Sequence, residues 1–456
     1  MNKEKINRDL ADLFREAKEI LARNTSPLID RHREEAYRHF TSQGGIPANT
    51  EEYRHANLLP LFDRDYHVAL NPRPLHVTPG DLFTCNVPAL DTRHRFTING
   101  WPVNNPGEPT ELPGGVIACS LSDAAKYYPR LVEQHYNRHA TTPPRDPLVQ
   151  LNTAFARDGI FLHVPDGITL DKPLQIVNLM LGNNNNIMSF QRDLIVIGKG
   201  ATATILACDH TLSDHAFLAN NVTEIALDEN ASIQYYQVQN QHSAAARVHS
   251  TCITQERQSR LDANIITLHG GYTRDNLLVT LRGEESQCNL HGIYLPDKQQ
   301  QVDNHTIVDH AAPRCQSNEL FKGILDDHAT ANFTGRVIVR PGAKKTSAYQ
   351  ANHNLLLTNT ARVNTRPQLV IDADDVKCTH GATVGQLDDD ATFYLRSRGI
   401  PKEEARLMMM AAFAREITGK VHLAPLREQL DDLLEKRLRG ELSKCHDNLL
   451  HCKRST

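Results

Sequence analysis

The sequence has no apolar run long enough to cross a lipid bilayer. Its longest, LMMMAAFA at residues 407–414, is far shorter than the roughly 20 residues that a membrane-spanning helix needs. The first ten residues, MNKEKINRDL, lack the apolar segment of a secretory signal peptide. We therefore expect a protein without a membrane anchor or a secretion signal.

Cysteine usage and net charge also exclude classes of protein. The nine cysteines are an odd number without close pairs before the C-terminus, which disfavours a secreted disulfide framework and favours the reducing cytoplasm. The formal net charge of -4 gives no reason to expect nucleic acid or an anionic membrane as a partner. Near the C-terminus, Cys445-His446 and His451-Cys452 lack a regular zinc spacing, so we expect a frayed end there.

Motifs for nucleotide binding and for nucleophilic hydrolysis are missing as well. The Gly-Lys pairs at residues 198–199 and 419–420 are followed by glycine and valine, whereas a phosphate-binding loop needs serine or threonine there. The sequence contains no Gly-x-Ser-x-Gly motif. We therefore expect a protein that is not an enzyme, and any ATP chemistry is expected in a partner.

What the sequence does contain is a repeat of short β-rich segments over residues 151–384, such as LIVIGKGATATIL and VTEIALDENASIQYYQV. Small residues follow the polar turns at intervals of 30, 28 and 27, and two later ones are 32 apart, with an unexplained gap between the groups. They are Ala201, Ala231, Ser259 and Ser286, then Ala329 and Ala361. Such a period is typical of stacked turns that bury their apolar faces on each other. It predicts a mainly β protein with a right-handed parallel β-helix, or β-solenoid, at its core.

Helical patterns flank the repeat on both sides. Apolar residues recur at helical spacing in residues 3–23, and again after Pro401 and Pro425. The predicted organisation is an N-terminal helical and mixed α/β region at 1–148, the β-helix core at 149–386 and a C-terminal helical region at 387–456. The helix after Pro401 has one apolar face that is rich in methionine, which suits adaptable docking. That face comprises Ala405, Met408, Met409, Ala412 and Phe413.

The most suggestive side chains lie where the repeat meets the C-terminal helices. Cys378 and His380 follow the β-rich segment VIDADDVK, and residues two apart on a strand point to the same face, about 6–7 Å from each other. Thiolate and imidazole are donors that iron and its clusters accept, but a stable cluster generally needs four ligands. From residue types alone, such a pair is more often structural than a ligand pair.

Several segments of the sequence resemble the SufB/SufD family of iron-sulfur cluster assembly scaffolds. They are NHNLLL at 352–357, NTRPQLVI at 364–371, ADDVKCTHGATVGQLD at 373–388, RSRGI at 396–400, LNTAFARDGIFLHVPDGITLDKPLQIV at 151–177 and, loosely, GIPANTEEYRHANL at 45–58. The pattern is similar to SufD rather than SufB, because the SufB cysteine six residues before Pro367 falls on Ala361 and the Cys-x-His of SufD is intact. The resemblance independently implies a β-helix core.

The resemblance also implies a site and two partners. His380, and with less weight Cys378, matches a position that the family uses for a nascent, transient iron-sulfur cluster or iron at the SufB–SufD interface. No cofactor is then expected to bind tightly to this chain alone. The family docks its ATPase, SufC, on the C-terminal helices, where we predict partner contacts from Phe393, Met409 and Phe413. A homodimer in the absence of the paralogue is also compatible with an exposed strand edge.

Two classes of function follow from the sequence. The first is a non-catalytic scaffold subunit that pairs with a SufB-like paralogue and recruits a SufC-like ATPase. The second is a carbohydrate-active β-helix enzyme, since charged groups along a solenoid groove can cleave polysaccharide. Only 6% of the residues are aromatic, which disfavours a sugar-stacking groove and favours the scaffold.

Overall fold

The computed structural model describes residues 2–22, 26–48, 50–72, 90–103, 110–140, 145–182 and 184–440. Its helices are α1 (Lys3–Ala22), α2 (Pro27–Asp30), α3 (Arg33–Ser42), α4 (Leu59–Phe62), α5 (Leu121–Tyr127), α6 (Pro129–His135), α7 (Pro147–Phe155), α8 (Asp389–Ser397), α9 (Lys402–Thr418) and α10 (Ala424–Leu438). Its strands are β1 (His67–Val68), β2 (Arg93–Ile98), β3 (Trp101–Val103), β4 (Glu111–Leu112), β5 (Val116–Ser120), β6 (Ile160–Val164), β7 (Leu174–Met180), β8 (Ile187–Ile197), β9 (Thr202–Thr211), β10 (Phe217–Leu227), β11 (Ser232–Asn240), β12 (Ala245–Gln255), β13 (Arg260–His269), β14 (Tyr272–Leu281), β15 (Gln287–Tyr294), β16 (Gln301–His310), β17 (Gln316–Leu325), β18 (Thr330–Val339), β19 (Ser347–Leu356), β20 (Arg362–Ile371) and β21 (Lys377–Gly385).

The strands form two long sheets between which the chain alternates. One, the even sheet, has the order β20-β18-β16-β14-β12-β10-β8-β6-β5-β4, and the other, the odd sheet, has the order β21-β19-β17-β15-β13-β11-β9-β7-β2-β3. Neighbouring strands from β6 onward are parallel, as in the register that pairs β10 with β12. The result is a parallel β-solenoid of about seven turns, which confirms the predicted β-helix.

Both faces of most strands are buried. Alternate side chains of a strand point into the solenoid, and the others point outward against covering segments. On β10, Ile225 and Leu227 belong to the apolar interior, whereas Ala226 packs outward. In the sequence, a strand that is covered on both sides is a near-continuous run of apolar residues and does not alternate strictly between apolar and polar ones. This explains why the sequence shows bursts of β-rich residues and a period near 30.

One corner of the solenoid recurs in every turn, between an even strand and the following odd strand. A residue with left-handed backbone geometry occupies it each time: Gly200, Asn230, Gln258, Glu285, Arg314, Lys345 and Asp375. The next residue is buried in most turns, so Cys315 and Thr346 continue the series after Ser286. Ala329 and Ala361 belong to the opposite corner, before even strands. The gap between Ser286 and Ala329 is thereby explained, since two different corners had been joined in one series.

Helical regions cover the outer faces of the two sheets. The N-terminal helix α1 buries Ile6 and Leu10 in a cluster with Phe190 and Leu218 of the even sheet. The N-terminal region also contacts the last strand of that sheet, because Arg366 on β20 forms a salt bridge with the carboxylate of Glu51 at 2.6 Å. In the described residues, no helix is long and apolar enough to cross a membrane.

The C-terminal helices α9 and α10 cover the odd sheet. Leu407, Met410 and Ile417 of α9 join a buried cluster with Tyr236 and Ile293 of the sheet. This buried face of α9 differs from the apolar face that the sequence predicted, and part of the predicted face, such as Met408, is exposed to solvent. The solenoid strands continue to the end of β21, and the domain boundaries predicted after residues 148 and 386 stay predictions. The pairs Cys445-His446 and His451-Cys452 lie outside the described residues.

Candidate functional site

The candidate site lies on the terminal turn, which we define as β20, β21 and the corner between them. Both strands are the last of their sheets, so each leaves one edge without a strand neighbour among the described residues. Along β21 every side chain is half-buried or exposed, in contrast to the buried strands that precede it. An edge of this kind presents backbone N–H and C=O groups that can pair with another chain.

Cys378 and His380 occupy positions on the terminal turn that continue the solenoid interior. In the parallel register, Cys378 pairs with Ala348 and His380 with Gln350. Ala348 and Gln350 are both buried between the two sheets. The structure therefore places the predicted thiol and imidazole on one face of β21, at the open end of the core, where His380 is exposed and Cys378 half-buried.

The environment of Cys378 differs from that of the other described cysteines. Cys119, Cys208, Cys252 and Cys288 are buried, whereas Cys378 is half-buried on the open turn. Partial burial raises the pKa of the Cys378 thiol above its ordinary value, against the opposing effect of a backbone hydrogen bond at Ala348. The thiol is therefore protonated at neutral pH, and binding of a metal must release its proton.

Two donors do not complete a metal centre. Within the described part of the chain, no group of three or more His, Cys, Asp or Glu side chains is arranged to hold a metal ion. Iron-sulfur clusters generally take four protein ligands. Among the described residues, the terminal turn therefore supplies two of the donors that such a cargo needs.

A polar ladder inside the solenoid leads up to His380, and the sequence analysis missed it. Glu319 on β17, Gln350 on β19 and His380 on β21 follow one another in register. Their spacing of 31 and 30 residues equals the repeat, so aligning successive turns would have found them. The Glu319 carboxylate accepts hydrogen bonds from Thr306 Oγ1 at 2.5 Å and from Gln350 Nε2 at 3.1 Å.

The predicted partner-binding residues fall into two environments. Phe393 on α8 is 72% exposed, and Tyr394 and Met408 are 57% and 44% exposed. Met409 is half-buried, and its sulfur lies 3.4 Å from Thr392 Oγ1. Phe413 is also half-buried, with a buried lysine of β17 lying 4.1 Å from its ring centroid. Met409 and Phe413 thus already have contacts within the chain.

Comparison with known proteins gives the chain its family. Residues 180–413 match the family described as SUF system FeS cluster assembly, SufBD core domain, and residues 4–176 match the SufBD protein N-terminal region. An iron-sulfur cluster assembly SufBD family protein of Synechocystis is 30% identical over 83% of this chain and 84% of its own length.

Two of the similar proteins carry the name SufD. Iron-sulfur cluster assembly protein SufD of Escherichia coli is 31% identical over 64% of this chain and 70% of its own length. SufD of Bacillus subtilis is 27% identical over 71% of this chain and 74% of its own length. The chain belongs to the SufB/SufD family of iron-sulfur cluster assembly proteins, with SufD as the member it resembles.

Proposed function

We propose that this chain is a non-catalytic scaffold subunit of a cytoplasmic iron-sulfur cluster assembly complex. Its terminal turn pairs with a SufB-like paralogue, and its C-terminal helices recruit a SufC-like ATPase. His380, with Cys378 beside it, contributes donors to a nascent cluster or iron that the two subunits share. The cluster is cargo rather than a resident cofactor of this chain.

The open end of the solenoid is the observation that carries this proposal. Val370, Ile371 and Val384 on the terminal turn are 42%, 41% and 47% exposed, although such residues are normally buried in a solenoid. They flank two strand edges that have no strand neighbour in the part of the chain that the structure describes, and such edges offer backbone hydrogen bonds. A paralogue of the same fold, presenting its own terminal turn, would cover these residues and pair with the edges, which is a known mode of strand addition.

Pairing can be tested by placing charge on the terminal turn. Val384→Lys puts an ammonium where the partner would pack, so the co-expressed SufB-like paralogue should no longer co-purify. Tyr127→Lys is the matched control, because Tyr127 is 62% exposed on α5, at the other end of the fold. Equal recovery of the paralogue with both variants would contradict pairing through the terminal turn. The same comparison by light scattering of the free chain tests the homodimer.

The role of His380 needs a variant that leaves assembly intact. His380→Ala should give a complex of normal composition that fails to accumulate a cluster, because an imidazole donor is lost. His328→Ala is the control, since His328 is exposed at a corner of an earlier turn. Cys378→Ser is expected to have a smaller effect than His380→Ala. Normal cluster content in the His380→Ala complex would make this histidine structural.

ATPase recruitment is best tested at the exposed surface of the C-terminal helices. Deletion after Gln386 would remove the ATPase site, but it would also uncover the apolar cluster between α9, α10 and the odd sheet. Phe393→Glu changes only a side chain that is free in this chain, and it should lose the ATPase while keeping the paralogue. Retention of the ATPase by this variant would contradict docking at Phe393.

The polysaccharide-cleaving alternative finds less support. Such an enzyme needs an open groove along the solenoid, whereas α1 covers the even sheet and α9 and α10 cover the odd sheet over many strands. A cleft of about 800 Å³ beside His135, His139 and Glu256 also remains open, but the exposed apolar residues of the terminal turn suit a protein partner better than a sugar chain. The family assignment points the same way.

A further inference from the structure

The amide of Gln350 has one half of its hydrogen-bonding capacity satisfied and the other half free. Its Nε2 donates to the two carboxylate oxygens of Glu319 at 3.1 and 3.2 Å. Its Oε1 is fully buried and has no hydrogen-bond partner. A buried acceptor without a partner costs free energy and therefore calls for an explanation.

The position of this amide is fixed from two sides. Glu319 lies one turn below and is itself held by Thr306 from the even sheet. Gly335 lies opposite, and a Cβ there would come within 2.4 Å of Gln350 Nε2, so the amide reaches across the interior to the facing strand. On the other neighbouring strand, β21, the register neighbour of Gln350 is His380. Adjacent strands lie about 4.8 Å apart, within reach of a hydrogen bond between long side chains.

We propose that Gln350 and Glu319 are positioning residues for His380, with Gln350 Oε1 accepting a hydrogen bond from one ring N–H of His380. This inference rests on the proposed role of His380 as a ligand. Because one ring nitrogen then carries the hydrogen, the other keeps its lone pair and faces the metal. Histidine ligands are commonly oriented in this way, and loss of the supporting group typically weakens metal binding by roughly 10–100-fold. Glu319 acts through Gln350, since its carboxylate binds the NH2 group and so turns the C=O group toward β21.

The test uses the complex of this chain with a SufB-like paralogue, reconstituted with Fe²⁺ and sulfide. Only this chain carries ¹⁵N-labelled histidine, so pulsed EPR of the reduced cluster reports a nitrogen ligand from this chain alone. In the unsubstituted complex we expect ¹⁵N coupling, and His380→Ala should abolish it. Gln350→Leu should lose the coupling and lower cluster content at least tenfold. Glu319→Gln should also lower the ¹⁵N coupling and the cluster content, but by a smaller amount.

Asn352→Leu is the matched control. Asn352 is as buried as Gln350 on the same strand, but its register neighbour on β21 is Ala382. It should therefore cost comparable stability, measured by thermal unfolding, while keeping the ¹⁵N coupling and the cluster. Unchanged coupling and cluster content in the Gln350→Leu complex would overturn the positioning role alone. Absence of ¹⁵N coupling in the unsubstituted complex would overturn the ligand role of His380 and the positioning role together.

Discussion

Arg192 on β8 and Glu224 on β10 form a buried ion pair to which the N-terminal region is hydrogen-bonded. The Arg192 Nη2 atom lies 2.7 Å from Glu224 Oε1, and the two side chains are 1% and 0% exposed. The carboxylate also accepts hydrogen bonds from the backbone N–H groups of Asn137 and His139, while Arg192 donates to Asn152. Burial acts to raise the pKa of Glu224, but the positive charge of Arg192 keeps it below the ordinary value.

Removal of Arg192 should therefore destabilise the whole protein. Arg192→Ala leaves Glu224 buried without its counter-ion, and we expect a loss of about 3–5 kcal/mol in the free energy of unfolding. Arg257→Ala is the control, because Arg257 pairs with Glu229 at the surface, where the side chains are 53% and 35% exposed. There the loss should be below about 1 kcal/mol. Denaturant titrations give both values, and similar losses would contradict a structural role for the buried pair.

Close approach of the backbone at one corner predicts a second stability difference. A Cβ added to Gly283 would lie 1.9 Å from the backbone nitrogen of Arg257, so Gly283→Ala should cost a few kcal/mol through displacement of the corner. Gly381 on β21 has open space around it, and Gly381→Ala should be neutral or slightly stabilising. Thermal unfolding of the two variants measures the difference. Equal unfolding midpoints for Gly283→Ala and Gly381→Ala would contradict this prediction, because they would mean that the backbone at the Gly283 corner shifts without loss of stability.

Buried histidines should make the protein sensitive to acid. Burial lowers the pKa of His210 and His305 to about 3 and that of His310 to about 4. Each is neutral in both states above pH 6.5, whereas below it the unfolded chain binds the proton first. Stability is therefore lost as the pH falls from 6.5 towards the folded pKa, by up to about 1.4 kcal/mol per histidine and pH unit. The midpoint of thermal unfolding should drop as the pH is lowered from 7 to 5. His305→Gln should make this drop per pH unit smaller.

Glu319 should have the opposite pH dependence. Burial raises its pKa to about 7, against hydrogen bonds from Thr306 and Gln350 that lower it. The folded state thus binds a proton that the unfolded state has released, and stability falls as the pH rises from 4.5 to 7. The amide in Glu319→Gln carries no charge that folding must bury. The free energy of unfolding of this variant should therefore exceed that of the unsubstituted protein by roughly 3 kcal/mol at pH 8 and by little at pH 4.5. A constant difference across this range would contradict the raised pKa.

Thiol labelling can locate the open end of the solenoid. In a background with Cys85, Cys445 and Cys452 replaced by serine, Cys378 should react with a maleimide far faster than buried Cys288. Mass spectrometry of the peptides gives both rates. Addition of the SufB-like paralogue should protect Cys378, because it would cover the terminal turn. Labelling at an unchanged rate in the complex would place the interface elsewhere.

The fold was predictable because its signals are local and repeated. The β-rich bursts predicted a solenoid, and Asn99-Gly100 marks the tight hairpin between β2 and β3. The full period was not recovered, because Ala329 and Ala361 of the opposite corner were joined to the series in place of Cys315 and Thr346. Glu285, Arg314 and Lys345 adopt left-handed geometry at corners where sequence rules expect Gly or Asn. The stacking of the turns, rather than local preference, imposes that geometry.

The site was predictable only in part. Cys378 and His380 stand two residues apart, so strand alternation was enough to bring them together. Glu319 and Gln350 are joined to His380 only through the stacking of successive turns, and Lys322 meets Phe413 only because α9 folds back onto the odd sheet. Contacts of this range depend on register and on helix docking, which a single sequence does not specify.

The recurring left-handed corner also governs which changes in length the chain can absorb. An added residue within a strand would exchange inward and outward side chains for the rest of that strand, turning Ile225 and Leu227 out of the core. The same residue inserted between Leu356 and Arg362, at the opposite corner, would only enlarge a loop at the rim. We therefore expect that rim to accept an inserted tag better than a strand does, because the ladders between successive turns then keep their frame.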